Sequence, residues 1–269
     1  MIEVNPMGVV TQIKMSREVD GKPLYWVAAY YVDGLLIDTG CSYTGRELVS
    51  YLDDKKLNAV VNTHFHEDHV GGNHLIKKRF PVTICAHPDS VPLIHQKLKL
   101  YPYQEFIWGY PEPTDVEPIP DRIRTDHFEF EVMETPGHSK GHVILFERSQ
   151  GWCFSGDIFA REMPKFIRPE EDMGETIHSM KKLLHLRADP LILYTSVGRV
   201  VEDGRQALQT CIHYLEDLAA KVRSLETKGL SITDIIQELF GGEHNFAQIT
   251  NGQYTTENLI RSVLQIRQE

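Results

Sequence analysis

The chain has 269 residues, 41% hydrophobic and 25% charged, enough for one large core and ordinary for a globular protein. Its net charge of -10 counts against a general nucleic-acid binder, which carries a basic stripe. No apolar run approaches the roughly 20 residues of a membrane span. The segment Met1-Ile2-Glu3-Val4-Asn5-Pro6 has neither the basic nor the apolar part of a signal peptide, so a cytoplasmic location is expected. Cys41, Cys85, Cys153 and Cys211 lie far apart and form no Cys-x-x-Cys pair, which points to reduced, buried thiols rather than a disulfide framework or a zinc knot.

In chain order, residues 9–13, 24–32 and 35–38 read as strands, with Asp33-Gly34 as a hairpin turn between the last two. Asp38 ends the third strand, where its carboxylate can cap its own backbone or support a metal ligand. Residues 47–56 read as a helix. Leu57-Asn58-Ala59-Val60-Val61 is a short apolar strand that runs into Asn62-Thr63-His64-Phe65-His66-Glu67-Asp68-His69. Side chains two apart on extended backbone point the same way, so His64 and His66 can reach one cation. Val70-Gly71-Gly72 allows a sharp turn into a helix at 73–78, placing Asp68 and His69 where they can face a second position. Four ligand-type residues within six is the density expected of a metal site.

Residues 82–86 read as a strand and 89–98 as a helix. The aromatic and proline-rich stretch 101–113 has no clear periodicity, as in a binding loop or a stiff surface crossing. Residues 128–133 alternate as a strand and lead to Pro136-Gly137, a turn that exposes His138. His142 opens the next strand and reads as a structural histidine. Trp152-Cys153-Phe154-Ser155-Gly156-Asp157 is another strand ending in a carboxylate. A helical stripe through Ile177, Met180, Leu183 and Leu184 precedes the strand 191–194. Three more stripes follow: Leu208 to Leu225, Ile232 to Leu239, and Leu259 to Leu264. Ser231-Ile232-Thr233-Asp234 is a capping box. The main domain is expected over 1–223, with 224–269 as a helical appendage.

The motifs Ile37-Asp38-Thr39-Gly40, His64-Phe65-His66-Glu67-Asp68-His69, Thr135-Pro136-Gly137-His138-Ser139-Lys140-Gly141-His142 and Ser155-Gly156-Asp157 stand in the order of the metallo-β-lactamase-fold hydrolase superfamily, which residues 8–205 resemble. The resemblance implies an α+β fold, a four-layer αββα sandwich with its metal site along one edge of the sheets. It places His64, His66 and His138 around a first metal, Asp68 and His69 at a second, and Asp157 between them. In the family a histidine follows the last strand; here Tyr194-Thr195-Ser196-Val197-Gly198-Arg199 puts Val197 in its place, and valine donates nothing. The second position is thereby weakened, with Ser196 a poor substitute.

The function expected is a metal-dependent hydrolase that uses a metal-bound hydroxide on a small acyl substrate, a thioester, lactone or ester. Asp68 is the candidate catalytic proton acceptor. Zinc suits the nitrogen-rich set, one or two ions per chain, with iron or manganese as alternatives. Lys140, Arg161, Lys165, Arg168 and Arg199 fall near the site-bearing turns and can hold an anionic substrate, or simply be solvated charges. The alternatives are a mononuclear iron enzyme oxidising persulfides, a ribonuclease-like member and a non-catalytic domain. The apolar stripes of the tail leave a homodimer open.

Overall fold

The computed structural model describes residues 1–266. Two sheets face each other. The first runs in the order Ile2–Met7, Val10–Met15, Val27–Val32, Leu35–Ile37, Ala59–Val61, Thr83–Ala86 and Glu117–Pro118. The second runs Arg122–Arg124, Glu129–Glu134, Val143–Glu147, Trp152–Gly156, Ile192–Thr195 and Val200–Val201.

The central strands are buried on both faces because both faces are covered. Ala28, Tyr30 and Val32 meet Leu145, Phe154 and Tyr194 between the sheets, while their neighbours Val27 and Ala29 turn outward onto helices. Ile144, Phe146 and Cys153 turn outward from the second sheet in the same way. This period-2 division yields three clusters. Gly45–Leu52, Asn73–Arg79 and Pro102–Trp108 cover the first sheet, and Met173–Leu184 and Gly204–Thr227 cover the second. The four-layer αββα sandwich expected from the motifs is the observed fold.

Most elements stand where the sequence places them. Asp33 and Gly34, at φ 49° and 84°, form the expected hairpin turn between Val32 and Leu35. Ser231 Oγ accepts the Asp234 N–H at 3.2 Å, as the capping box requires. Three details differ. Ile2–Met7 is a strand of its own, paired along its length with Val10–Met15. The 89–98 helix shrinks to Val91–Ile94. The stretch 101–113 is not irregular throughout: Pro102–Trp108 is helical, with proline at its start, where an N–H would go unused, and the Gln104 side chain accepting the Tyr101 N–H at 2.8 Å. Its apolar face, Tyr103 and Trp108, joins the first cluster.

The helix Gly204–Thr227 runs through the 223/224 division. Its Leu208, Leu215 and Val222 share one cluster with Ile235, Ile236, Leu259 and Val263 of the tail and with Leu193 of the second sheet. Leu215→Ala should therefore lower the unfolding free energy by about 2–5 kcal/mol. Urea unfolding followed by both circular dichroism and tryptophan fluorescence checks this, and the two signals should shift together.

Candidate metal centre

Parallel pairing brings the carboxyl ends of Leu35–Ile37 and Ala59–Val61 side by side, Ile37 opposite Val61. Asp38 and the His64 to His69 turn leave from there. Trp152–Gly156 and Ile192–Thr195 are likewise parallel, so Asp157 and Ser196 emerge together. Two backbone bonds lock the sheets at this edge: Val143 N–H to Thr63 O at 2.8 Å, and Ala28 N–H to Ser196 O at 2.6 Å.

His64, His66 and His138 converge. His66 Nδ1 lies 2.9 Å from His64 Nε2 and 3.0 Å from His138 Nε2, and all three rings are buried. Beside them stand His69 and Asp157, with His69 Nε2 3.4 Å from Asp157 Oδ1 and 3.9 Å from Asp68 Oδ2. Burial, reinforced for His64 by His69 and for His66 by the Arg168 guanidinium, drives the pKa of both rings well below the usual imidazole value. They are neutral, with lone pairs to offer. Asp68 Oδ1 and His69 Nε2 are buried without a hydrogen-bond partner among the described residues. Neutral inward nitrogens and orphaned donor atoms of this kind fit a divalent cation.

The outer faces of His69 and His138 are fixed. Asp38 sits at φ 61°, the left-handed region that aspartate tolerates better than most residues. Its carboxylate accepts the Thr63 N–H, the Thr63 hydroxyl and His69 Nδ1–H, each at 2.8 Å. A carboxylate only accepts, so Nδ1 keeps its proton, and in the neutral ring the lone pair is the one at the inward Nε2. Asp38 is thus the supporting residue that its strand-end position suggested. Glu171 does the same for His138, its Oε2 3.0 Å from Nδ1. His142 is engaged on both sides, by Thr135 Oγ1 at 2.8 Å and the Asp157 N–H at 3.1 Å. It is the structural histidine that the sequence suggested, and burial with nearby His138 holds its pKa down at about 3.

The carboxylates and the outer histidines compensate one another. Burial opposes protonation of His69, yet Asp38, Asp157 and Asp68 outweigh it and raise its pKa well above the usual value. Burial opposes ionisation of Asp157, and His69 and His138 outweigh it. Asp68 is pushed up to about 6, by burial first.

Gly71 is required for a reason different from the one the sequence suggested. Its φ of −61° is ordinary, but a Cβ there would lie 2.6 Å from Gly40 O and closer still to Ser42 N. The ligand turn packs backbone to backbone on the 38–42 loop.

Val197 and Ser196 follow the last parallel strand. Ser196 Oγ lies 3.1 Å from Gly156 O and against the Asp157 carboxylate, and so supports Asp157. Val197 lines a cavity of about 130 Å³ together with His138, Asp157, Ile158, Phe159, Met173 and Leu215. Of the five cations singled out, only Arg161 and Lys165 line it. Lys140 faces Asp89 at 3.6 Å, Arg199 is forked onto Glu162, and Arg168 is buried against Glu67 at 3.4 Å. The sequence reading missed Tyr25, which lines the cavity, and Glu171, which no motif marks. Burial first, then Asp157 and Asp68, raise the Tyr25 phenol to about 12. Tyr25 falls in an apolar run that reads simply as strand.

Asp38→Ala removes the acceptor for Thr63 and His69 at once. It should weaken metal binding by about 10–100-fold while the fold persists, as measured by competition with a coloured chelator.

Comparison with known proteins places this geometry. The family model of the metallo-beta-lactamase superfamily matches residues 27–195. Hydroxyacylglutathione hydrolase GloC of Haemophilus influenzae is 30% identical over 161 residues, covering 54% of this chain and 74% of that protein. A hydroxyacylglutathione hydrolase of Vibrio cholerae is 27% identical over 231 residues, 82% of this chain and 81% of that one. Among solved structures, a beta-lactamase domain protein from Burkholderia ambifaria superposes with a TM-score of 0.65 at 16% identity, covering 96% of this chain and 84% of that one. No helix among the described residues is long and apolar enough to cross a membrane. The chain belongs to the metallo-beta-lactamase superfamily.

Proposed function

We propose that this protein hydrolyses small acyl substrates with the help of a bound metal, and that thioesters are the first class to test. The observation that carries this reading is the convergence of three imidazole nitrogens on one point, with His64, His66 and His138 all within ligand reach of one another. Those three residues would hold the first cation. Asp68, His69 and Asp157 would hold a second, more weakly, since Val197 brings no donor. The nitrogen-rich first set suits zinc.

When bound, the cation supplies Lewis acidity and lowers the pKa of its water from about 15.7 to about 7. The chain supplies the rest. Asp68 Oδ1, buried and without a partner, is the group placed to accept the proton of an attacking water. The cavity beside His138 and Asp157 gives an acyl group apolar walls in Ile158, Phe159 and Val197, and Arg161 and Lys165 can meet an anionic end. The relatives named hydroxyacylglutathione hydrolase make a glutathione thioester of a hydroxy acid a natural first substrate.

The test is thiol release from a panel of acyl thioesters, lactones and esters by zinc-loaded protein, with Asp68→Asn and His66→Ala beside it. Asp68→Asn should lower kcat/KM by about 10²–10⁴-fold, and His66→Ala should lose metal and activity together. Turnover that survives both substitutions, or none on any substrate with zinc or iron bound, would overturn the reading.

A further inference from the structure

One segment outside every motif joins the ligand cluster to the C-terminal helices. Residues 167–173 carry Glu171, whose Oε2 faces His138 Nδ1 at 3.0 Å and whose Oε1 accepts the Arg168 N–H at 2.8 Å. The Glu171 side chain is 11% exposed, so little water competes for either oxygen. Arg168 turns the other way and is buried against Glu67, the residue between His66 and Asp68, at 3.4 Å. The segment thus touches the ligand set on two sides.

The tail holds the same segment at both ends. Ile167 and Thr255 exchange backbone hydrogen bonds at 3.1 and 3.2 Å, and Asn258 Nδ2 donates to Ile167 O at 3.1 Å. Tyr254 Oη accepts from Arg168 Nε at 2.8 Å. At the far end, Ser262 Oγ accepts the Met173 N–H at 2.8 Å and donates to Glu171 O at 3.2 Å. Ser262 lies on the helix Thr256–Leu264 and is buried.

We propose that Glu171 is the positioning residue of His138, and that the C-terminal helices, through Ser262, hold Glu171 in register so that docking of the tail sets metal affinity. The inference rests on the reading of His138 as a ligand. A carboxylate that accepts from Nδ1–H fixes the tautomer and the ring, leaving Nε2 aimed inward and more basic. Glutamine at 171 keeps the length of the side chain but loses the charge. Alanine at 262 leaves Glu171 in place chemically and frees the backbone that carries it.

The experiment is zinc affinity of the full chain by chelator competition, with circular dichroism to confirm folding, for wild type, His138→Ala, Glu171→Gln, Ser262→Ala and the exposed control Glu175→Gln. Glu171→Gln should weaken zinc about 10–100-fold. Ser262→Ala should shift it in the same direction by a smaller factor, and Glu175→Gln should match wild type. Zinc affinity of Glu171→Gln within twofold of wild type, with His138→Ala strongly weakened, would overturn the positioning role alone. Unchanged affinity in Ser262→Ala would overturn the part assigned to the tail. Unchanged affinity in His138→Ala would overturn the ligand reading and this inference with it.

Discussion

Taking an imidazole or a carboxylate out of water is costly unless its polar atoms are met. This chain does so with His64, His66, Asp68, His69 and His138 along one sheet edge. The outward nitrogens of His69 and His138 are each met by a carboxylate, Asp38 and Glu171. The inward ones are left facing one another. Such an arrangement is stable only with something positive at its centre, a proton shared with Asp157 or a metal ion. Parallel pairing, the left-handed turn at Asp38 and the close approach at Gly71 all serve to keep these atoms within a few ångströms.

Much of this is legible in the sequence because it is local. His64, His66, Asp68 and His69 come from one strand end and one turn, and the alternation of an extended chain is enough to put the first two together. The sandwich was implied by the family resemblance of the motifs, and strands such as Val27–Val32, apolar at successive positions, are covered on both faces as it requires. Glu171 was not legible. Its partner lies 33 residues away and its own neighbours carry no periodic or motif signal. The helix Pro102–Trp108 was hidden by proline and aromatic residues that resemble loop composition, though proline at a first turn and glutamine at its third position are start signals in their own right.

Position 197 shows how sequence and structure inform each other. The order of motifs places a family histidine there, and the structure puts the valine on the wall of a cavity that reaches Asp157 and His138. On the resemblance, valine there withholds a donor from the proposed second position, and its side chain adds apolar surface to the cavity beside His138. The nearby hydroxyl of Ser196 is turned to the Asp157 carboxylate, where it braces the side chain proposed as a ligand.

The proposed metal centre has a complete three-histidine position and a second position short of a donor. Metal content by elemental analysis, after zinc loading and a mild chelator wash, tests it in wild type and Val197→His. About one zinc per chain is expected in wild type and about two in Val197→His, where a fourth donor would complete the site. No retained metal in either protein, or two in both, would contradict it.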